Sequence, residues 1–182
     1  MYKDSNASGE RSSLQQPPTR TGALVHGEAV IQPEHTSGSA TALAWAAGLC
    51  DGEGCINISK HHMPGRKNPT YRLRLELGQN HLETLHVFRA TLALHGAPCS
   101  LHAVKRTAQH SRQVYTLSYD GRHAARALTV LRPYLVRKAP EADAALQYVA
   151  VAEVGRLPGP SGLSKQIWET REAYHQLLRR LK

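Results

Sequence analysis

The chain has 182 residues, 41% of them hydrophobic, and its 23 Lys and Arg against 14 Asp and Glu give a formal charge of +9. That size suits one domain with or without an appendage, and the apolar content is enough for a packed core. No run approaches the ~18 apolar residues of a membrane span, residues 1–20 lack an apolar signal core, and three unpatterned cysteines argue against a disulfide framework, which predicts a non-secreted protein of the cytoplasm or an organellar matrix with no membrane partner.

Residues 1–38 are rich in Ser, Gly, Pro, Gln and Thr without a sustained period, which predicts a mostly disordered tail with at most a short strand at 24–31. This stretch holds Lys3, Arg11 and Arg20 against Asp4, Glu10, Glu28 and Glu34. The charge therefore lies beyond it, and a basic globular part suits a polyanionic partner. Ser and Thr residues at 37–41 offer N-caps for a helix reaching about Cys50. Small residues Ala44, Ala47 and Gly48 recur at three- and four-residue spacing along it. A Gly inside a helix costs about 1 kcal/mol relative to Ala, so this stripe suggests a close packing contact.

That helix runs into Asp51-Gly52-Glu53-Gly54, two acids at a helix end where unpaired carbonyls already carry negative charge. A cation or a set of donors must answer them, and a divalent metal would answer both. The plain alternative is an Asp-Gly turn with solvated acids. Cys50, Cys55, His61 and His62 contain no close Cys-x-x-Cys pair, and Cys50 falls where the helix is apolar, so zinc is not expected.

After the motif, Ile56 and Ile58 alternate with Asn57, Ser59 and His61, and Tyr71, Leu73, Leu75 and Leu77 alternate with Arg72, Arg74 and Glu76. Both are period-two strands buried on one face. Leu82, Leu85, Phe88 and Leu92 mark a helix ended by Gly96-Ala97-Pro98. Strands at 100–106 and 113–119 follow, the second closed by Asp120-Gly121. Ala124, Ala125, Leu128 and Leu131 mark a helix stopped by Pro133. Pro140 opens another with Ala142, Ala145, Leu146, Val149 and Ala152, and after a break at 155–162 Ile167, Tyr174, Leu177, Leu178 and Leu181 form the last amphipathic face. No second acidic motif is present.

The run Ala46-Ala47-Gly48-Leu49-Cys50-Asp51-Gly52-Glu53-Gly54 resembles the signature of LAGLIDADG homing endonucleases, matching it conservatively at Gly52 and Glu53 and departing from it at the packing positions Ala46 and Cys50. The similarity extends over roughly residues 40–155 through the element order, through Leu75-Glu76-Leu77-Gly78-Gln79, and through Leu131-Arg132-Pro133-Tyr134-Leu135-Val136-Arg137-Lys138. It implies an α+β fold ordered αββαββα, with a four-stranded antiparallel saddle and C-terminal helices. The boundaries are then a tail at 1–38, a core at 39–155 and a helical appendage at 156–182.

The resemblance further implies a site-specific endonuclease that hydrolyses both strands of DNA with Mg²⁺, replaceable by Mn²⁺, in the mobility of an intron or intein. Glu53 and the Gly52 carbonyl would hold the metal, Asp51 would support the helix end, and Gln79 and Lys138 would complete the catalytic set. With one motif per chain, Ala44, Ala47 and Gly48 would form a homodimer interface, and the dimer would read a long pseudo-palindromic site. DNA contacts are expected from Asn57, Ser59, His61, Thr70, Arg72, Arg74, Glu76, His102, Arg106 and Thr116. The alternatives are a non-catalytic DNA-binding regulator and a splicing maturase whose partner is RNA.

Overall fold

The computed structural model describes residues 39–65, 68–104, 112–152 and 163–182. The expected tail at 1–38, Arg106, the turn near 109–111 and the break at 155–162 lie outside the described residues.

The first helix, α1 (Ala40–Glu53), starts where the Ser39 hydroxyl accepts the Ala42 N–H at 3.1 Å. It runs three residues past the expected end, so both acids belong to its last turn. The helix stops at Gly54, whose N–H bonds back to the Cys50 carbonyl. Only glycine fits there, because a Cβ would lie 2.5 Å from that carbonyl oxygen.

Two strands follow as a long antiparallel pair, β1 (Gly54–His61) and β2 (Thr70–Gln79), in a register that sets Gly54 opposite Leu77 and His61 opposite Thr70. The helix α2 (Leu82–Ala93) leads to β3 (Ser100–Ala103) and β4 (Tyr115–Asp120), the latter starting two residues later than the sequence pattern suggests. Gly121 turns the chain at φ +54°, a conformation that favours glycine, into α3 (Arg122–Leu131). A 3-10 turn over Arg132–Tyr134, α4 (Ala139–Val151) and α5 (Lys165–Arg180) complete the chain. The sheet order is β1-β2-β4-β3, antiparallel throughout, so the fold is the expected αββαββα with C-terminal helices.

All helices that pack on the sheet share one core with Ile56, Ile58, Leu73, Leu75, Leu77, Leu117 and Tyr119. Leu85, Phe88, Leu92, Leu128, Leu131 and Tyr148 meet them from the helical layer. Each such large side chain contributes about 1.5–3 kcal/mol by leaving water. The strand alternation sends every other residue to the opposite face, where the described residues place no helix. α5 lies against α4 and β1. His175 Nδ1 donates to the Ile58 carbonyl at 2.6 Å, and Glu172 accepts from Lys60 at 2.7 Å and from the Tyr71 hydroxyl. β1 is an edge strand, and α5 occupies its otherwise open side.

Candidate functional site

Asp51 has its donors within the chain. Its carboxylate accepts the backbone N–H groups of Val136 (2.8 Å) and Arg137 (3.2 Å) on Oδ2 and of Lys138 (2.8 Å) on Oδ1. Arg137 Nε also donates to the Asp51 carbonyl at 2.8 Å, placing a guanidinium on one of the orphan carbonyls of the α1 terminus. Burial pushes the Asp51 carboxyl up, but the three backbone donors outweigh it and hold the group below the usual carboxylate range. A cation shared by both acids is the expectation from the sequence; for Asp51 the segment leading into α4 answers instead. Arg132 steadies that segment through a fork to Asp143, with Nε at 2.5 Å and Nη2 at 2.8 Å.

Glu53 is different. It is exposed, and among the described residues no group bonds its carboxylate. Gly52 beside it is also exposed. The register of β1 and β2 puts the half-buried Gln79 at the same end of the sheet, two residues beyond the partner of Gly54. Lys138 is tied to Asp51 by its backbone, with only 6% of its surface exposed. Asp51 and Lys138 are in direct contact at the exit of α1, Glu53 is the last residue of that helix, and Gln79 lies at the same end of the sheet. Cys50 is sealed in the core, and burial pushes its thiol up to about 12, so it is an apolar filler rather than a metal ligand.

Of the small-residue stripe, Ala44 and Gly48 are exposed, next to Trp45 at 40% exposure. Ala47 is not available to a partner chain. It is wholly buried with Leu43, Ala46 and Cys50, because at 100° per residue positions 43, 46, 47 and 50 form the stripe facing the chain's own core, whereas 41, 44, 45 and 48 form the outer one. A Cβ on Gly48 would meet nothing within 4 Å, so nothing within this chain requires glycine there.

The uncovered face of the sheet carries polar residues in cross-strand rows. Asn57, Arg74 and Asp120 form one row, and Cys55, Glu76, Ser118 and Ser100 the next. Gly78, Thr116 and His102 form a third, while Ser59 faces Arg72 and His61 faces Thr70 towards the far end. Arg74 Nε donates to Asp120 at 2.7 Å, Arg74 Nη1 lies 3.3 Å from Glu76 Oε1, and the Ser118 hydroxyl donates to that same oxygen at 3.3 Å. Arg72, His61 and His102 are exposed, and His61, Met63, Thr70, Tyr71, Arg72 and Arg74 line a shallow hollow.

No protein-family model matches this chain, and no curated protein does. Solved structures do. The homing endonuclease I-CvuI, in complex with the I-CreI target, superposes with a TM-score of 0.60 at 20% identity over 78% of this chain and 82% of that one. The archaeal intron-encoded homing endonuclease I-Vdi141I, complexed with DNA, gives 0.60 at 10% identity over 78% and 84%. The LAGLIDADG homing endonuclease I-LtrWI, bound to target DNA, gives 0.53 at 13% identity over 72% of this chain and 42% of that one. The chain has the LAGLIDADG homing endonuclease fold.

In a LAGLIDADG fold with a single motif, the chain brings one free carboxylate and the Gly52 carbonyl, left without an intrahelical partner at the helix end, to the exit of α1. Two oxygen donors fit a hard cation that keeps most of its waters, such as Mg²⁺, and do not make an all-protein cage. Among the described residues no group of three or more His, Cys, Asp or Glu is placed to hold a metal.

Three features escaped the sequence reading. Ser118 and Asp120 belong to the open face, and the alternation of Thr116, Ser118 and Asp120 with Leu117 and Tyr119 carries that signal. The grips of Arg137 on α1 and of His175 on β1 rest on backbone carbonyls and have no sequence signature.

Proposed function

We propose that this chain is a divalent-metal-dependent endonuclease that cuts both strands of duplex DNA at a long, pseudo-palindromic site, acting as a homodimer in the mobility of an intron or intein. The observation that carries the reading is Glu53. Among the described residues its carboxylate has no partner; it ends the helix that leads into the four-stranded sheet, and its neighbouring acid is fully engaged.

Asp51 fixes the end of α1 against the start of α4, so that Glu53 and the Gly52 carbonyl are held ready and Lys138 stays beside them. Mg²⁺ bound there would supply an activated water and neutralise charge at the scissile phosphate. Gln79 orients solvent, and Lys138 offsets negative charge developing on the phosphate. Ala44 and Gly48 give two α1 helices a flat surface for close approach, so that each subunit contributes half of the site. Asn57, Ser59, His61, Thr70, Arg72, Arg74, Glu76, His102 and Thr116 face the DNA.

The test uses the full chain, Mg²⁺ or Mn²⁺, and a plasmid library carrying randomised long inserts. Linearisation of a reproducible subset by the wild type, and none by Glu53→Gln, supports the reading. Tight binding of selected DNA without cutting would point to a regulator, and selective retention of structured RNA to a maturase. If six to ten phosphates are engaged, binding falls by about 10³- to 10⁵-fold between 50 and 200 mM salt.

A further inference from the structure

The centre of the open face is acidic although the chain is basic. Arg74 lies between Asp120 on its own row and Glu76 on the next, with Nε on Asp120 at 2.7 Å and Nη1 3.3 Å from Glu76. Ser118 and, at the outer limit of 3.5 Å, Asn57 donate to the two Glu76 oxygens. Within this trio two carboxylates meet one guanidinium, a net charge of −1, while the Lys182 ammonium stands 3.1 Å from Sγ of Cys55, the β1 partner of Glu76.

Two consequences follow from the donor inventory. Arginine reads guanine with a two-pronged contact to O6 and N7, and here two of the three guanidinium nitrogens already have partners. Presenting a fork to guanine means breaking a charge-assisted bond to Asp120 or Glu76. The carboxylates meanwhile keep acceptor capacity, since among the described residues nothing donates to Asp120 Oδ2 and only the long Asn57 contact reaches Glu76 Oε2. A surplus of acceptors repels phosphate and the O6 or O4 edges of guanine and thymine. It favours the exocyclic amino groups of cytosine and adenine.

Building on the DNA-cleaving reading above, we infer that Glu76 and Asp120, braced by Arg74 and Ser118, form a base-reading unit that selects an amino-bearing base, cytosine or adenine, at one position of each half-site. Arg72, exposed and free of these acids, lies outside this unit. Asp120 is a positioning residue: it fixes the direction of Arg74 and leaves Glu76 as the acceptor.

The experiment measures binding of the full-length wild type, Glu76→Gln and Asp120→Asn to a selected site with each position varied to all four bases, in Ca²⁺ to prevent cutting. The wild type should prefer cytosine or adenine at one position per half-site by about tenfold. Glu76→Gln, whose amide sets a donor beside its acceptor, should change the preference at that one position, away from cytosine, and leave the others unchanged. Asp120→Asn, which puts a neutral amide oxygen where a charged one stood, should weaken the hold on Arg74 Nε and raise tolerance of guanine there. A thermal melt confirms that each variant is folded, and Arg74→Lys, which keeps the charge and loses the fork, should loosen the same position. No preference for amino-bearing bases, or variants that change affinity equally for every sequence, would overturn the inference while leaving the endonuclease reading intact. Failure of the wild type to hold any DNA would sink both.

Discussion

The junction of α1 with α4 and the junction of α1 with β1 each contain an acid of the same motif, two residues apart, in opposite states. At the first, Asp51 has three backbone donors from 136–138 and no spare role. At the second, Glu53 has no bonded partner among the described residues. A carboxylate that organises the fold is used up by it, and Glu53 is not used in that way. Glu53→Gln breaks the comparison at its most sensitive point. It should lower cleavage by roughly 10³-fold or more, the equivalent of the several kcal/mol that a bound Lewis acid supplies, with DNA affinity and melting temperature essentially unchanged. A melting temperature that falls with activity would make Glu53 structural.

The opposite substitution should give the opposite profile. Asp51→Ala strands three N–H groups and is expected to cost about 2–4 kcal/mol, since a hydrogen bond to a charged group contributes about 1.5–3 kcal/mol and these groups keep partial access to water. Unfolding in urea would read this as a lower midpoint at unchanged slope. Activity should fall as well, because Lys138 loses its anchor. The pH dependence has a defined sign. With its folded value below the unfolded one, Asp51 stabilises the protein above the ordinary carboxylate range and loses that contribution as pH falls through the folded value. Melting temperatures from pH 7 down to pH 3 should therefore fall more steeply for the wild type than for Asp51→Asn.

Much of this arrangement was legible in the chain. Alternation of Leu73, Leu75 and Leu77 with Arg72, Arg74 and Glu76 marked both the core and the open face of β2, because a strand's two faces differ by one residue step. The acids were conspicuous because they sit where helix electrostatics disfavour them. The partner of Asp51 was invisible, since backbone N–H groups some 85 residues away leave no trace in side-chain identity. The small-residue stripe misled for another reason. Ala and Gly occur on both sides of α1, so spacing alone could not tell Ala47, which faces the core, from Ala44 and Gly48, which face out. The tail at 1–38 and Arg106 fall outside the described residues.

Gly48 tests whether the free acid belongs to half of a shared site. Its Cβ would meet only open space within this chain, and Ala is better than Gly in a helix by about 1 kcal/mol, so Gly48→Ala should stabilise a lone chain by up to that amount. Where a second α1 packs across the stripe, the added methyl should instead weaken the dimer by roughly tenfold, as a clash of 1–3 kcal/mol implies. Sedimentation equilibrium of the two proteins separates these outcomes. Unaltered self-association, or a wild type that stays monomeric, would remove the stripe from the interface.

The smallest effect is expected at Glu172, which sharpens the contrast with Asp51 because it too holds three donors. Gln176, Lys60 and Tyr71 hold its carboxyl down at about 2, yet all three are side chains on an accessible surface, and 35% of the Glu172 side chain is exposed. Side-chain donors relax towards water when the acid is removed, whereas the N–H groups of 136–138 are fixed by the start of α4. Glu172→Gln should therefore cost no more than about 1 kcal/mol, screened further by salt, despite the large displacement of its pKa. His175 keeps its bond to Ile58 in that variant, so α5 should stay on β1, and hydrogen exchange at the β1 amides should be nearly unchanged. A loss as large as that of Asp51→Ala would mean that the number of donors, rather than their rigidity, sets what an acid contributes here.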